Sequence, residues 1–153
     1  MTEFTVWRAI VDWVEDGDGT VFAACPPGSS VYDYKKCCLI DPVSKKRDEP
    51  DIMFALGKDL FFVECKLTLS GILYKGNKLN GENDIDKLLR LKKTYMEFNY
   101  DQQLANNYGV DTSLYNLKLG IGYAEGKKVG EFQNIDIVHF IVDNNGNVKM
   151  KGF

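Results

Sequence analysis

Histidine is almost absent: His139 is the only one in 153 residues. Four cysteines occur, but none forms a C-x-x-C pair, so a four-ligand zinc centre lacks its donors. Cys25, Cys37, Cys38 and Cys65 are therefore expected as free thiols, mostly buried, in a reducing cytoplasm. No run of about 18 apolar residues is present, and the chain does not open on a basic-then-apolar segment, so neither a membrane span nor a secretory leader is expected. Net positive charge is missing as well. The formal charge is −3 at pH 7, which excludes a protein that coats duplex DNA through a broad basic surface. Nucleic-acid binding then needs a local basic edge or a bound metal.

What is present suits one domain over residues 1–153. Hydrophobic residues make up 44% of the chain, enough for a full core at this length. Residues 3–15 read as a helix, with Phe4, Trp7, Ile10, Val11 and Val14 at helical spacing, Thr2 as cap and Asp16-Gly17-Asp18-Gly19 as terminator. Trp7 and Trp13 fit helix packing. Thr20–Cys25 and residues 31–40 have strand patterns, and the second would send Cys37 and Cys38 to opposite faces. Asp51–Leu56 and Leu60–Thr68 are paired strands joined by a turn at Gly57-Lys58-Asp59. Residues 70–81 read as a loop or short ribbon.

A second helix is expected over Asp84–Asn99, capped by Asn83, with Ile85, Leu88, Leu89, Tyr95 and Met96 as its apolar stripe. Lys87, Arg90, Lys93 and Glu97 fall largely on its other side. Residues 101–114 are polar and read as a loop with a short helical extension. Residues 115–124 and 135–143 are strands, and Asn144-Asn145-Gly146-Asn147 turns the chain into Val148–Lys151. The order predicts an α/β fold, a central mixed sheet flanked by helices.

The chemistry concentrates in Pro50-Asp51-Ile52 and Phe62-Val63-Glu64-Cys65-Lys66-Leu67-Thr68. Glu64 and Lys66 are two apart on a strand, so both project from one face, shared with Leu60, Phe62 and Thr68, while Phe61, Val63, Cys65 and Leu67 line the other. A hairpin through Gly57 brings Asp51 beside Glu64. Two carboxylates held close repel, and a divalent cation relieves that repulsion. Hard oxygen donors select Mg²⁺ or Mn²⁺, to which the carbonyl of Cys65 adds a further oxygen. Such a metal activates water and stabilises a phosphoryl oxygen, and Lys66 orients the water or holds the developing charge. These are the parts of phosphodiester hydrolysis.

The pattern Pro50-Asp51, twelve intervening residues, then Glu64-x-Lys66 resembles the PD-(D/E)XK, or restriction-endonuclease-like, nuclease superfamily. Its wording, with Thr68 following, is closest to archaeal Holliday junction resolvases. The resemblance implies an αβββαβ core, a Mg²⁺- or Mn²⁺-dependent endonuclease acting on DNA, and a homodimer that supplies two sites to a duplex. It also implies an acidic residue from the first helix. Glu3 and Glu15 compete for that place, and Glu3, at the helix start, is favoured. The Gln-x-x-x-Tyr helix motif of the superfamily's exonuclease branch is absent; Leu91-Lys92-Lys93-Thr94-Tyr95 stands there.

Lys75, Lys78, Lys87 and Arg90, with Lys92 and Lys93, fit either a phosphate-tracking edge or an ordinary solvated surface. Tyr32 and Tyr34 fit sheet packing better than base stacking. His139, between apolar neighbours, fits a strand residue with a satisfied side chain. Two rival functions remain open: an RNA-cleaving nuclease of the same fold, and an inactive module that binds nucleic acid or protein.

Overall fold

Thr2 and Thr5 open the first helix by capping each other. Thr5 N donates to Thr2 Oγ1 at 3.2 Å and Thr2 N donates to Thr5 Oγ1 at 2.6 Å, which starts α1 (Glu3–Asp16) where the sequence predicts it. The computed structural model describes residues 1–26, 37–75, 81–126 and 136–152. After α1 come β1 (Thr20–Ala24), β2 (Ile52–Leu56) and β3 (Asp59–Cys65), each antiparallel to the one before. Gly57, at φ +61°, makes the turn between β2 and β3 in a conformation that a side chain disfavours.

A helical crossover follows, made of α2 (Leu69–Leu73), α3 (Asp84–Glu97) and α4 (Tyr100–Tyr108). It returns the chain to β4 (Asn116–Ala124), parallel to β3. Then β5 (Ile137–Val142) lies parallel to β4, and β6 (Val148–Lys151) folds back antiparallel to it. Among the described residues six strands stand in sequence order, giving a mixed α/β fold with a mixed sheet flanked by helices.

Each face of the sheet has its own apolar core. On one, Val6, Trp7, Ile10 and Val14 of α1 pack on Phe54, Phe61, Val63 and Phe140. On the other, Leu88, Leu91 and Tyr95 of α3 and Leu104 of α4 pack with Leu60, Phe62, Leu119 and Ile121. The alternation expected along β3 holds from Leu60 to Cys65, with apolar side chains sent to each core; β3 ends at Cys65, short of the strand expected to Thr68, because Thr68 caps α2, and Leu67 is exposed. Two glycines of β4 make room for close packing, Gly122 against Ile10 of α1 and Gly120 against Phe140 of β5. A Cβ at Gly122 would lie 2.4 Å from Ile10 Cδ1, and one at Gly120 2.6 Å from the Phe140 ring. All four cysteines are free, and among the described residues no helix is long and apolar enough to cross a membrane.

Several expectations need correction. Of the strand predicted over 31–40, residues 31–36, with Tyr32 and Tyr34, lie outside the described residues; 37–39 are not strand, and Ile40 makes only an isolated bridge to Arg47. The stretch read as a loop from Ser70 contains α2, capped by Thr68, whose hydroxyl accepts from Gly71 N at 3.1 Å. α4 begins at Tyr100 and fills much of the stretch read as loop. On α3 the buried stripe is Ile85, Leu88, Leu91 and Tyr95; Leu89 and Met96 are exposed, because the sheet and α4 cover a narrower arc than the apolar residues span.

Candidate active site

The end of β3 is where four chain segments meet. β2 starts there because it runs antiparallel to β3, and the N-termini of α1 and α3 arrive from opposite faces of the sheet. Asp51 immediately precedes β2. Its Oδ2 accepts a hydrogen bond from Cys65 N at 2.8 Å, so the carboxylate occupies the last main-chain donor on that edge of β3. Its carbonyl accepts from Cys25 N at 2.8 Å and from the Trp7 indole at 3.3 Å. Asp51 is thus pinned from β1, β3 and α1 together.

Glu64 lies on the α3 face of β3 and is 2% exposed. Burial, then the charge of Asp51 and a hydrogen bond shared with it, push the Glu64 carboxyl well above the usual glutamate range. Lys87 of α3 makes an ion pair with Glu64 Oε1 and opposes that shift. Burial pulls the Lys87 ammonium down, but Glu64, Asp51 and Asp84 together hold it above its ordinary value.

Lys66 follows β3, its N–H donating to Gly122 O at 3.0 Å. Its ammonium lies 3.5 Å from Glu3 Oε1 and 3.4 Å from Asp84 Oδ2, bridging the first turns of α1 and α3. Burial lowers the Lys66 ammonium, and Asp84, Asp51, Glu3 and Glu64 more than reverse this. The positive ends of two helix dipoles face the same carboxylates and further stabilise their charge. Cys65 turns its side chain to the α1 face. Burial, then Asp51 and Glu64, push its thiol well above its usual value, which disfavours the thiolate. Any metal role for Cys65 falls to its carbonyl.

The sequence-predicted residues Asp51, Glu64, Lys66 and Glu3 are thus gathered in one place. Glu15 lies at the far end of α1, about 18 Å away at the helical rise per residue. One member, Asp84, escapes the sequence reading, where the helix dipole alone accounts for it. Lys87, expected on a phosphate-tracking edge, instead faces Glu64. Asp84 is buried and Lys87 half-buried. The signal was available: 84, 88, 91 and 95 form one helical stripe, and Asp84 is the carboxylate on it.

The expected phosphate edge looks different in place. Lys87 pairs with Glu64, and Lys75 lies 3.4 Å from Asp86. Arg90 donates through Nε and Nη2 to Glu82 at 2.8 and 3.0 Å, and through Nη1 to Asp48. Lys78 lies outside the described residues. His139 is a strand residue whose Nδ1 hydrogen-bonds Tyr123 OH at 2.7 Å; burial, then Lys151, lower its pKa.

The donor set fits a hard divalent cation. Asp51 and Glu64 bring two carboxyl groups to one place, Glu64 buried and Asp51 half-buried, and a divalent ion would stabilise both as carboxylates. Among the described residues, no three His, Cys, Asp or Glu side chains are already drawn to metal-ligating spacing, so the preassembled part is this pair. No family model, curated protein or solved structure matches the chain.

Proposed function

We propose that this chain is a metal-dependent endonuclease of the PD-(D/E)XK type, hydrolysing DNA phosphodiester bonds with Mg²⁺ or Mn²⁺. The observation that carries the reading is the Asp51–Glu64 carboxyl pair at the end of β3, Glu64 buried and Asp51 half-buried, with Lys66 beside it. A carboxyl buried as deeply as Glu64 is costly where hydrocarbon would pack as well, so a functional use is the better account. The order of a helix, three antiparallel strands, a helical crossover and a parallel strand agrees with the αβββαβ core of that superfamily and supports the assignment.

Bound metal supplies an activated water and neutralises charge on the phosphoryl oxygen. Asp51 and Glu64 would hold it, with the Cys65 carbonyl as a hard main-chain donor. Lys66 orients the attacking water and stabilises the phosphate as charge builds. Glu3 and Asp84 keep the Lys66 ammonium at the site rather than in solvent. One water is added across a P–O bond, leaving a phosphate monoester and a hydroxyl. Cutting both strands of a duplex by this reading takes a homodimer.

The test is cleavage of supercoiled plasmid, branched DNA and matched RNA with Mg²⁺, Mn²⁺ or EDTA, using wild type beside Glu64→Ala. Metal-dependent cutting that vanishes in the variant supports the reading, and the preferred substrate chooses DNA or RNA. One observation favours the rival, an inactive binding module: Lys87 already neutralises Glu64 without any metal. Intact DNA and RNA under every condition would establish that rival.

A further inference from the structure

We propose that Lys87 is a built-in counter-cation for Glu64, which a divalent metal must displace before it can bind. This rests on the metal-dependent reading above. Glu64 is almost fully buried, and its Oε1 faces the Lys87 ammonium directly. Lys66, the lysine of the sequence motif, is not in that position. Its ammonium is held by Glu3 and Asp84. The cation that neutralises Glu64 therefore comes from α3, not from the strand.

An ammonium and a divalent ion at one carboxylate oxygen repel each other strongly, so one excludes the other. Lys87 can leave. Its side chain is 27% exposed against 2% for Glu64, and a four-carbon stem lets its head swing outward while its helix stays fixed. The fixing comes from Leu88 and Leu91, fully buried on the next turns. Apparent metal affinity is then the intrinsic affinity reduced by the fraction of molecules in which Lys87 has swung away. The same contact compensates Glu64 whenever it ionises in the metal-free protein, so Lys87 exchanges metal affinity for stability of the empty site.

The experiment is Mn²⁺ titration by calorimetry on the full chain, with thermal melting in EDTA and in excess Mn²⁺. Lys87→Met is compared with wild type, Lys87→Arg and Glu64→Gln. Lys87→Met is expected to bind Mn²⁺ about tenfold more tightly or better, as a removed competing state requires. It should also melt lower than wild type in EDTA and recover more of its melting temperature in Mn²⁺. Lys87→Arg, which keeps the cation, should bind as weakly as wild type. Glu64→Gln should abolish binding in either background. A residue that served only packing would not tighten binding when removed.

Unchanged or weaker Mn²⁺ binding by Lys87→Met, with wild type binding normally, overturns the displacement proposal and leaves the metal-dependent reading standing. Absence of Mn²⁺ binding by wild type and variant alike, both folded by circular dichroism, overturns the two together. If Lys87→Met does not fold, Lys87→Gln, which keeps a polar side chain, replaces it under the same expectations.

Discussion

The two faces of β3 make opposite use of the same strand. Toward α1, Phe61, Val63 and Cys65 meet hydrocarbon only, and Phe54, Phe61 and Phe140 form a ring cluster with centroids 5.0 to 5.6 Å apart. Toward α3, Leu60 and Phe62 meet hydrocarbon too, but the next residue on that face is Glu64, buried as deeply as the others. Burial stabilises the first face throughout. On the second it carries a cost at one position, which Lys87 offsets in part. The contrast separates what holds the fold from what the fold holds. A leucine in place of Glu64 would serve the packing; only an acid serves the chemistry.

The contrast can be broken or sharpened by experiment. The largest effect is expected for Asp51→Asn and Glu64→Gln, which should reduce metal-dependent cleavage to background while the chain still melts cooperatively. Lys66→Ala should lower the cleavage rate about 10²–10³-fold, the usual loss on removing one group that stabilises developing charge. Plasmid nicking rates read both, and full activity in either carboxamide variant would end the assignment.

On the other face, Phe140→Ala should cost about 3–5 kcal/mol in urea denaturation, because three rings lose their common contact. The Mn²⁺ affinity of its folded fraction should not change. A loss of affinity there would show that the faces are coupled.

The pH dependence of stability should carry the mark of Glu64. Its folded-state value lies well above the ordinary 4.5, so between the two the folded chain keeps a proton that the unfolded chain has released. Stability of the metal-free protein should therefore fall as pH rises above 4.5, by up to about 1.4 kcal/mol per pH unit for one proton. Glu64→Gln should remove that slope, and thermal melts across pH 4 to about 8 in EDTA would read it. The smallest effect is expected at Arg90. Its pairs with Glu82 and Asp48 tie α3 to the 41–49 loop, but it is more than one-third exposed. Arg90→Ala should cost about 1 kcal/mol or less. It should leave cleavage unchanged, whereas a residue that tracked phosphate would alter the salt dependence of DNA binding.

Much of this arrangement could be read from residues alone, and the limits have physical causes. The two long helices carried strong periodicity and good caps, and both begin where Thr2 and Asn83 place them. Asp51, Glu64 and Lys66 were legible because strand alternation and one short hairpin fix their relation. α2 has five residues and α4 buries only Tyr100 and Leu104, so neither has a periodic stripe long enough to recognise. The places of Asp84 and Lys87 were hidden for another reason. Whether a polar residue on a helix is buried depends on what the opposing surface presents, and here that is Lys66 for Asp84 and Glu64 for Lys87, both on a distant segment of the chain. Likewise the close packing on β4 depends on Gly122 under Ile10 and Gly120 under Phe140, whose meaning appears only once those side chains are set against them.

Lys66 joins the first turns of two helices that lie on opposite sides of the sheet, and this makes the site a reporter of assembly. Its groups come from α1, the entry to β2, the end of β3 and the start of α3, so no single element of the chain carries them together. A growing polypeptide holds Glu3, Asp51 and Glu64 long before Asp84 and Lys87 emerge to complete the set. A chain in which α1 has come loose keeps most of its strands and loses Glu3 from Lys66 and the indole from Asp51. Loss of cleavage should therefore precede loss of secondary structure on mild denaturation, and only a fully assembled molecule should be able to cut.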